Sequence, residues 1–237
     1  MIFVHGDTHG YARAFKVINN KLHLAEATED DTLIILGDVG ANYWGDKRDI
    51  YTKRLIRNMR PTVLCLQGNH ERRPRAIPTY KYIYNPRYKC YGWYEEAFPN
   101  IFFPEDGAVY IEDKRFLFAG GAYSIDKDYR LTTGAKWFPD EQPSEDDKRR
   151  VRAAVCLNNK FDYVCSHTAP IEHEPTHLFL SSVDQSTVDK STERYLQEVY
   201  EKLDQNYLKG WVFGHYHADE KLDNKFRILF NDMILLD

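Results

Sequence analysis

The chain has 237 residues, 43% of them hydrophobic and 14% aromatic, with a formal net charge of −4. That is enough apolar material for a sizeable core, and the negative balance excludes a global basic field that would draw the protein onto nucleic acid. No apolar run approaches the ~20 residues of a membrane helix. Met1-Ile2-Phe3-Val4 reads as the first strand of a fold rather than as a leader. Cys65, Cys90, Cys156 and Cys165 show no C-x-x-C spacing, so they are expected as reduced, buried thiols of a cytoplasmic protein without a disulfide-linked partner.

In chain order, Ile2–Val4 leads into His5-Gly6-Asp7-Thr8-His9-Gly10, and a helix follows with Ala14, Phe15, Val17 and Ile18 as its apolar positions. Thr32–Leu36 is a continuous apolar run, the mark of a strand buried on both faces, and ends in Gly37-Asp38-Val39-Gly40. A second helix carries Ile50, Leu55, Ile56 and Met59 and stops before Pro61. The third strand, Thr62–Leu66, ends in Gly68-Asn69-His70-Glu71, where Gly68 is expected to let the backbone turn sharply. Strands alternating with helices imply parallel βαβ units.

Further on, Val109–Ile111 and Arg115–Ala119 flank Glu112-Asp113-Lys114 as a hairpin. Ser144 is placed to cap a helix through Val151, Ala154 and Val155, with Glu145, Asp146 and Asp147 in its first turn. Tyr163–Cys165 ends in Ser166-His167. Ser191 is a candidate cap for a helix whose apolar face is Tyr195, Leu196, Val199, Tyr200 and Leu203. Trp211–Phe213 ends in Gly214-His215-Tyr216-His217, and Arg227–Phe230 with Ile234–Leu236 suggests a closing hairpin. One domain over residues 1–237 is the simplest reading.

Five strands thus end in Asp, His or Asn: Asp7 with His9, Asp38, Asn69 with His70, His167, and His215 with His217. Five of the nine histidines fall in these positions. Laid side by side, they converge on one edge of a sheet. The i, i+2 spacing of Asp7/His9 and of His215/His217 would put each pair on one side of an extended segment, able to bite one cation. Carboxylate, imidazole and amide oxygen without thiolate suit Mn²⁺, Fe²⁺, Co²⁺ or Zn²⁺. Seven candidate ligands are too many for one ion, and two metals form the usual clamp for displacement at phosphorus.

These clusters, in this order from residue 3 to 217, resemble the signature of calcineurin-like metallophosphoesterases. The resemblance implies an α/β fold, a β-sandwich of two mixed sheets flanked by α-helices in four layers. It also implies a dinuclear centre of divalent ions, Mn first, with Fe, Zn, Co or Ni as alternatives. By position, Asp7, His9 and His217 would hold the first metal, and Asn69, His167 and His215 the second, with Asp38 bridging. His70 would protonate the leaving oxygen or steady the phosphoryl group. The Asp-Arg by which the protein-phosphatase branch grips phosphate is missing after Asp38, which argues against that branch. The implied activity is hydrolysis of a phosphate mono- or diester, with a serine/threonine-type protein phosphatase as the alternative and a non-catalytic scaffold of the same fold as a remoter one.

From Arg72 to Tyr94 the chain carries Arg72, Arg73, Arg75, Lys81, Arg87 and Lys89, no acid, and seven tyrosine or tryptophan residues. Guanidinium groups grip phosphate and aromatic faces stack bases. This cap-like insertion is expected to bind a small phosphorylated partner, a nucleotide or short oligonucleotide, with Arg72 or Arg73 as phosphate clamp. The other reading of Tyr80, Tyr82 and Tyr84 is one face of a small hairpin. Tyr123, Asp126, Asp128 and Arg130 are candidates for the opposite rim, and His173 and His177 are expected on surface loops.

Overall fold

The computed structural model describes residues 1–236. The first half builds strands β1 (Ile2–His5), β2 (Thr32–Ile35) and β3 (Thr62–Cys65), with helices α1 (Ala12–Leu24) and α2 (Lys47–Arg57) between them. The chain then forms β4 (Lys81–Asn85), β5 (Cys90–Tyr94), β6 (Ile101–Pro104), β7 (Gly107–Ile111) and β8 (Lys114–Ala119). Helices α3 (Lys127–Thr133) and α4 (Glu145–Leu157) precede β9 (Tyr163–Ser166). Helix α5 (Ser191–Lys202), β10 (Gly210–Phe213), β11 (Glu220–Lys221), β12 (Phe226–Ile228) and β13 (Met233–Leu236) complete the fold.

Two mixed sheets result, a seven-stranded one in the order β13-β1-β2-β3-β6-β5-β4 and a six-stranded one in the order β11-β12-β10-β9-β8-β7. The central strands of each run parallel, with antiparallel neighbours at the edges. Because β1, β2 and β3 are covered on both faces, their residues are apolar without alternation. Val4, Ile34, Leu36 and Leu64 of the first sheet meet Val109, Phe116, Phe118, Cys165 and Val212 of the second between the sheets. On the outer face of the first sheet lie Phe15, Ile18 and Leu22 of α1 and Ile56 of α2, one helical stripe each. Val151 and Val155 of α4 and Leu196 and Val199 of α5 cover the second sheet. The layers are therefore α/β/β/α, and no helix among the described residues is long and apolar enough to cross a membrane.

Ser144 caps α4 as its sequence suggests: its side chain accepts from the Asp147 amide, and Asp147 returns the bond to the Ser144 amide. Three local expectations are corrected. Ser191 is already inside α5, and its hydroxyl donates to Gln142 Oε1 rather than capping. Residues 226–236 form no hairpin, since β12 runs parallel to β10 in one sheet and β13 antiparallel to β1 in the other. The crossing is held by Asp219, whose carboxylate accepts from the amides of Phe230, Asn231 and Asp232. Cys156 is exposed on α4, while Cys65, Cys90 and Cys165 are buried.

The basic, aromatic segment does not form a cap. Residues 81–94 extend the first sheet as the β4–β5 hairpin, and Tyr82, Tyr84 and Tyr91 pack on one another at its outer face. Its tip turns to the ends of β2 and β3 opposite their ligands. There Arg87 donates to the carbonyls of Glu29 and Asp30 and to Thr62 Oγ1, and Tyr88 reaches Thr32.

Candidate metal centre

Each ligand candidate emerges where a strand ends. His9, Asp38, His215 and His217 all have positive φ, 47°, 48°, 66° and 51°, a conformation that non-glycine residues adopt at a cost and that gathers at functional sites. The tight turns bring these side chains together, and they correct the expectation of extended i, i+2 pairs. His215 and His217 in fact face different neighbours.

One group comprises Asp7, His9 and His217, whose donor atoms lie within 4.8 Å of one another. Asp7 Oδ2 is 3.3 Å from His217 Nε2 and 3.8 Å from His9 Nε2, and the two Nε2 atoms are 2.9 Å apart. The second group forms around Asn69, whose Oδ1 is 2.7 Å from His167 Nε2 and 3.2 Å from His215 Nδ1. Asp38 stands between them, its Oδ2 3.9 Å from His9 Nδ1 and 3.7 Å from His167 Nε2. Asp7, Asp38, Asn69 and His167 are buried, whereas His217 opens to solvent.

Two close approaches depend on glycine. A Cβ on Gly68 would come within 2.7 Å of Asp38 Cγ, and one on Gly214 would overlap Asp7 Oδ1. Asp7 also accepts from the His215 amide, and Asp38 Oδ1 from the His70 amide at 2.8 Å, so each carboxylate is aimed by backbone of another loop.

The donor set fits divalent ions. His167 Nδ1 is 2.7 Å from the Leu36 carbonyl, which can only accept. With Nδ1 engaged there, Nε2 is the ring atom that faces Asn69. Asn69 Nδ2 donates to Ser124 Oγ, and that hydroxyl donates to Glu141, so Oδ1 is the atom facing both histidines. An imidazole nitrogen and an amide oxygen meeting in a buried site are a pair that can share a cation. The protonation balance agrees. Burial pushes His9 and His215 down, keeping both rings in the neutral, ligating form. Burial alone would raise the Asp7 carboxyl, but the hydrogen bond from His217 holds it below the usual range. His217 is raised by the same hydrogen bond.

His70 stands apart from both groups. Its Nε2 lies 3.2 Å from Asn69 Nδ2 and 3.5 Å from Arg130 Nη2, and burial lowers its pKa. Glu71, fully buried, supports the loop by accepting from the Gly68 amide, and burial raises its carboxyl to about 8.

The centre opens into a cavity of about 820 Å³. Tyr43 and Trp44, Tyr123–Asp126 and Arg130, the loop from Glu174 to Lys190, and Phe230 supply its walls. Tyr123, Asp126 and Arg130 thus sit at the rim, while Asp128 is exposed elsewhere. Arg72 and Arg73 are not among the lining residues. Arg73 is buried and spends its guanidinium on the carbonyls of Asp140 and Gln142. Arg72 is exposed beside Gly45. His173 stacks on Phe226, and His177 pairs with Glu220. Sequence reasoning missed Ser124 and Glu141, which orient Asn69, and the 174–190 wall. The Gly120-Gly121 break before Ser124 was the available signal for the first two.

A family model described as calcineurin-like phosphoesterase matches residues 1–219. The chain belongs to the calcineurin-like phosphoesterase family. The two mixed sheets with flanking helices are the fold of this family, and the chain carries groups of Asp and His that could hold metal. Among solved structures, the calcineurin-like phosphoesterase chain is similar in fold to the protein TT1561 of Thermus thermophilus. That match has a TM-score of 0.54 and 11% identity, and covers 97% of this chain and 89% of that one. It also matches an archaeal protein described as a novel phosphodiesterase, with TM-score 0.40, 11% identity, and 97% and 81% of the two chains covered. A third match is the phosphopantetheinyl hydrolase of Mycobacterium tuberculosis, with TM-score 0.46, 16% identity, and 97% and 87% covered. No curated protein matches the chain.

Proposed function

We propose that this family member hydrolyses phosphate esters with two divalent ions, Mn²⁺ foremost, and that its substrate carries a large, partly aromatic group of the nucleotide class. Asp7, His9 and His217 would hold one ion, Asn69, His167 and His215 the other, with Asp38 between. The observation that carries this reading is the meeting of Asn69 Oδ1 with His167 Nε2 at 2.7 Å, an amide oxygen and an imidazole nitrogen placed to share a cation. Bound ions would supply positive charge for the phosphoryl oxygens and acidify water.

The protein's own groups do the rest. Asp38, aimed by the His70 amide, serves both donor groups. His70, outside both groups and among the cavity-lining residues, would protonate the leaving oxygen or steady the phosphoryl group. Support for a large leaving group comes from the cavity volume and from Tyr43, Trp44, Tyr123, Phe179 and Phe230 in its walls. Substrate selection moves accordingly from residues 72–94 to these walls. A cytoplasmic location is part of the same proposal and rests on the reduced-thiol reading of the cysteines.

A panel of mono-, di- and pyrophosphate esters, assayed with added Mn²⁺ and after chelation, tests the reading. Activity should vanish on chelation, and nucleotide esters should exceed small alkyl esters in kcat/KM. Full activity at background metal content would overturn it.

A further inference from the structure

A phosphoryl group entering the centre needs a cation with a donor that is aimed at the centre and not already committed. Arg73 is spent on two backbone carbonyls, and Arg72 lies outside the cavity. Among the described residues lining the cavity, the Lys and Arg side chains are Lys190 and Arg130. Lys190 is taken: its Nζ lies 2.6 Å from Glu174 Oε1 and over the Phe179 ring.

Arg130 is held differently. It sits on α3, one turn after Asp126, and its Nε donates to Asp126 Oδ2 at 2.7 Å. Its Nη1 donates to Tyr43 Oη at 3.1 Å and to the Lys136 carbonyl at 3.0 Å. That carbonyl is brought back onto the guanidinium because α3 ends at Gly134 with φ 74°. Nε and Nη1 are thereby committed. Nη2 points to the centre, where the His70 ring nitrogen at 3.5 Å is its neighbour. The side chain is 16% exposed, so it has lost most of its rotamer freedom and much of its water before any ligand arrives.

We propose that Arg130 is the phosphate-binding cation of this site, its Nη2 donating to a non-bridging phosphoryl oxygen beside His70, a proposal that rests on the phosphoesterase reading above. The one free edge of the fork faces the residue that would meet the leaving oxygen. Asp126 and Tyr43 are positioning residues that set the plane of the guanidinium. The ligand class is a phosphoryl group in general, since the contact is made to oxygens common to mono- and diesters.

The test uses the full chain loaded with Mn²⁺, with inorganic phosphate as probe and p-nitrophenyl phosphate as reporter. Arg130→Ala should raise the inhibition constant of phosphate and the KM of the ester by about ten- to a hundredfold, the effect of one charge-assisted hydrogen bond. Metal content should be unchanged. Arg130→Lys, which keeps the charge and loses the fork, should recover part of the loss and serves if the alanine variant folds poorly. Tyr43→Phe should raise both constants by severalfold without altering metal content. A phosphate inhibition constant within twofold of wild type in both Arg130 variants would overturn the proposal while leaving the phosphoesterase reading intact. Failure of the wild-type protein to hydrolyse any ester with metal bound would instead overturn that reading, and this proposal with it.

Discussion

Replacing Gly68 by alanine tests the centre through one methyl group. Gly68 has no positive φ, so alanine suits its backbone and the effect is steric alone. The added Cβ would stand 1.9 Å from Asp38 Oδ1, 2.3 Å from the Asp38 backbone nitrogen and 2.7 Å from Cγ, whereas ordinary contact begins at 3.4 Å, so both the carboxylate and the backbone that carries it must retreat, the nitrogen by about 1.1 Å. Asp38 is buried between both donor groups, so any retreat shifts it relative to one or both of them. Displacements of about 1 Å at a reacting centre cost ~10²-fold in rate, and disturbed support of a ligand costs ~10–100-fold in metal affinity. Gly68→Ala should therefore lose about two orders of magnitude in kcat/KM and bind Mn²⁺ at least tenfold more weakly by calorimetric titration. Its circular dichroism should remain native. Activity and affinity both within twofold of wild type would refute the argument that Gly68 exists to make room for Asp38.

His70→Ala should lower kcat by roughly 10²–10⁴ with metal content retained, and loss of the metal would show by elemental analysis that His70 is a ligand instead. Arg73→Ala should leave KM within twofold but destabilise the fold by about 3 kcal/mol, because it removes two charged hydrogen bonds and leaves the Asp140 and Gln142 carbonyls bare; denaturant titration measures it. Glu193 gives a pH signature. Burial, with the charge of Glu174, raises its carboxyl to about 7 from an ordinary 4.5. Between those values the folded protein holds a proton that the unfolded chain releases, so stability is full below 4.5 and falls by up to about 3 kcal/mol as pH rises to 7. Glu193→Gln should flatten that slope in unfolding curves taken across the window, and parallel curves would count against it.

The strand-end clusters were legible because a buried strand reads as an apolar run with a polar cluster directly behind it. Their grouping was less so. Spacing put His215 and His217 on one side of an extended segment, but the left-handed turns at both residues send one to Asn69 and the other to Asp7. The sequence suggests a sharp turn at Gly68, whereas the structure shows the space it leaves for Asp38 of the preceding strand end. Such a need is tertiary and has no local signature. The basic segment misled for a related reason: composition announces a charged, aromatic surface but not which end of the sheet it faces. Tyr88 and Arg87 anchor the hairpin tip against residues 29–32 and 62, away from the centre.

β1 and β13 lie side by side, with Ile2 opposite Leu236, and Gly6 presses on the carbonyl of Leu229. The first ligand group draws Asp7 and His9 from one end of the sequence and His217 from near the other. Pairings of such long separation close late, since their loop entropy must be met before they return anything. On the ribosome the early βαβ units would form with one flank of β1 open, and the first group would be complete only once His217 had joined them. Refolding followed by metal uptake should thus lag behind the recovery of helical signal.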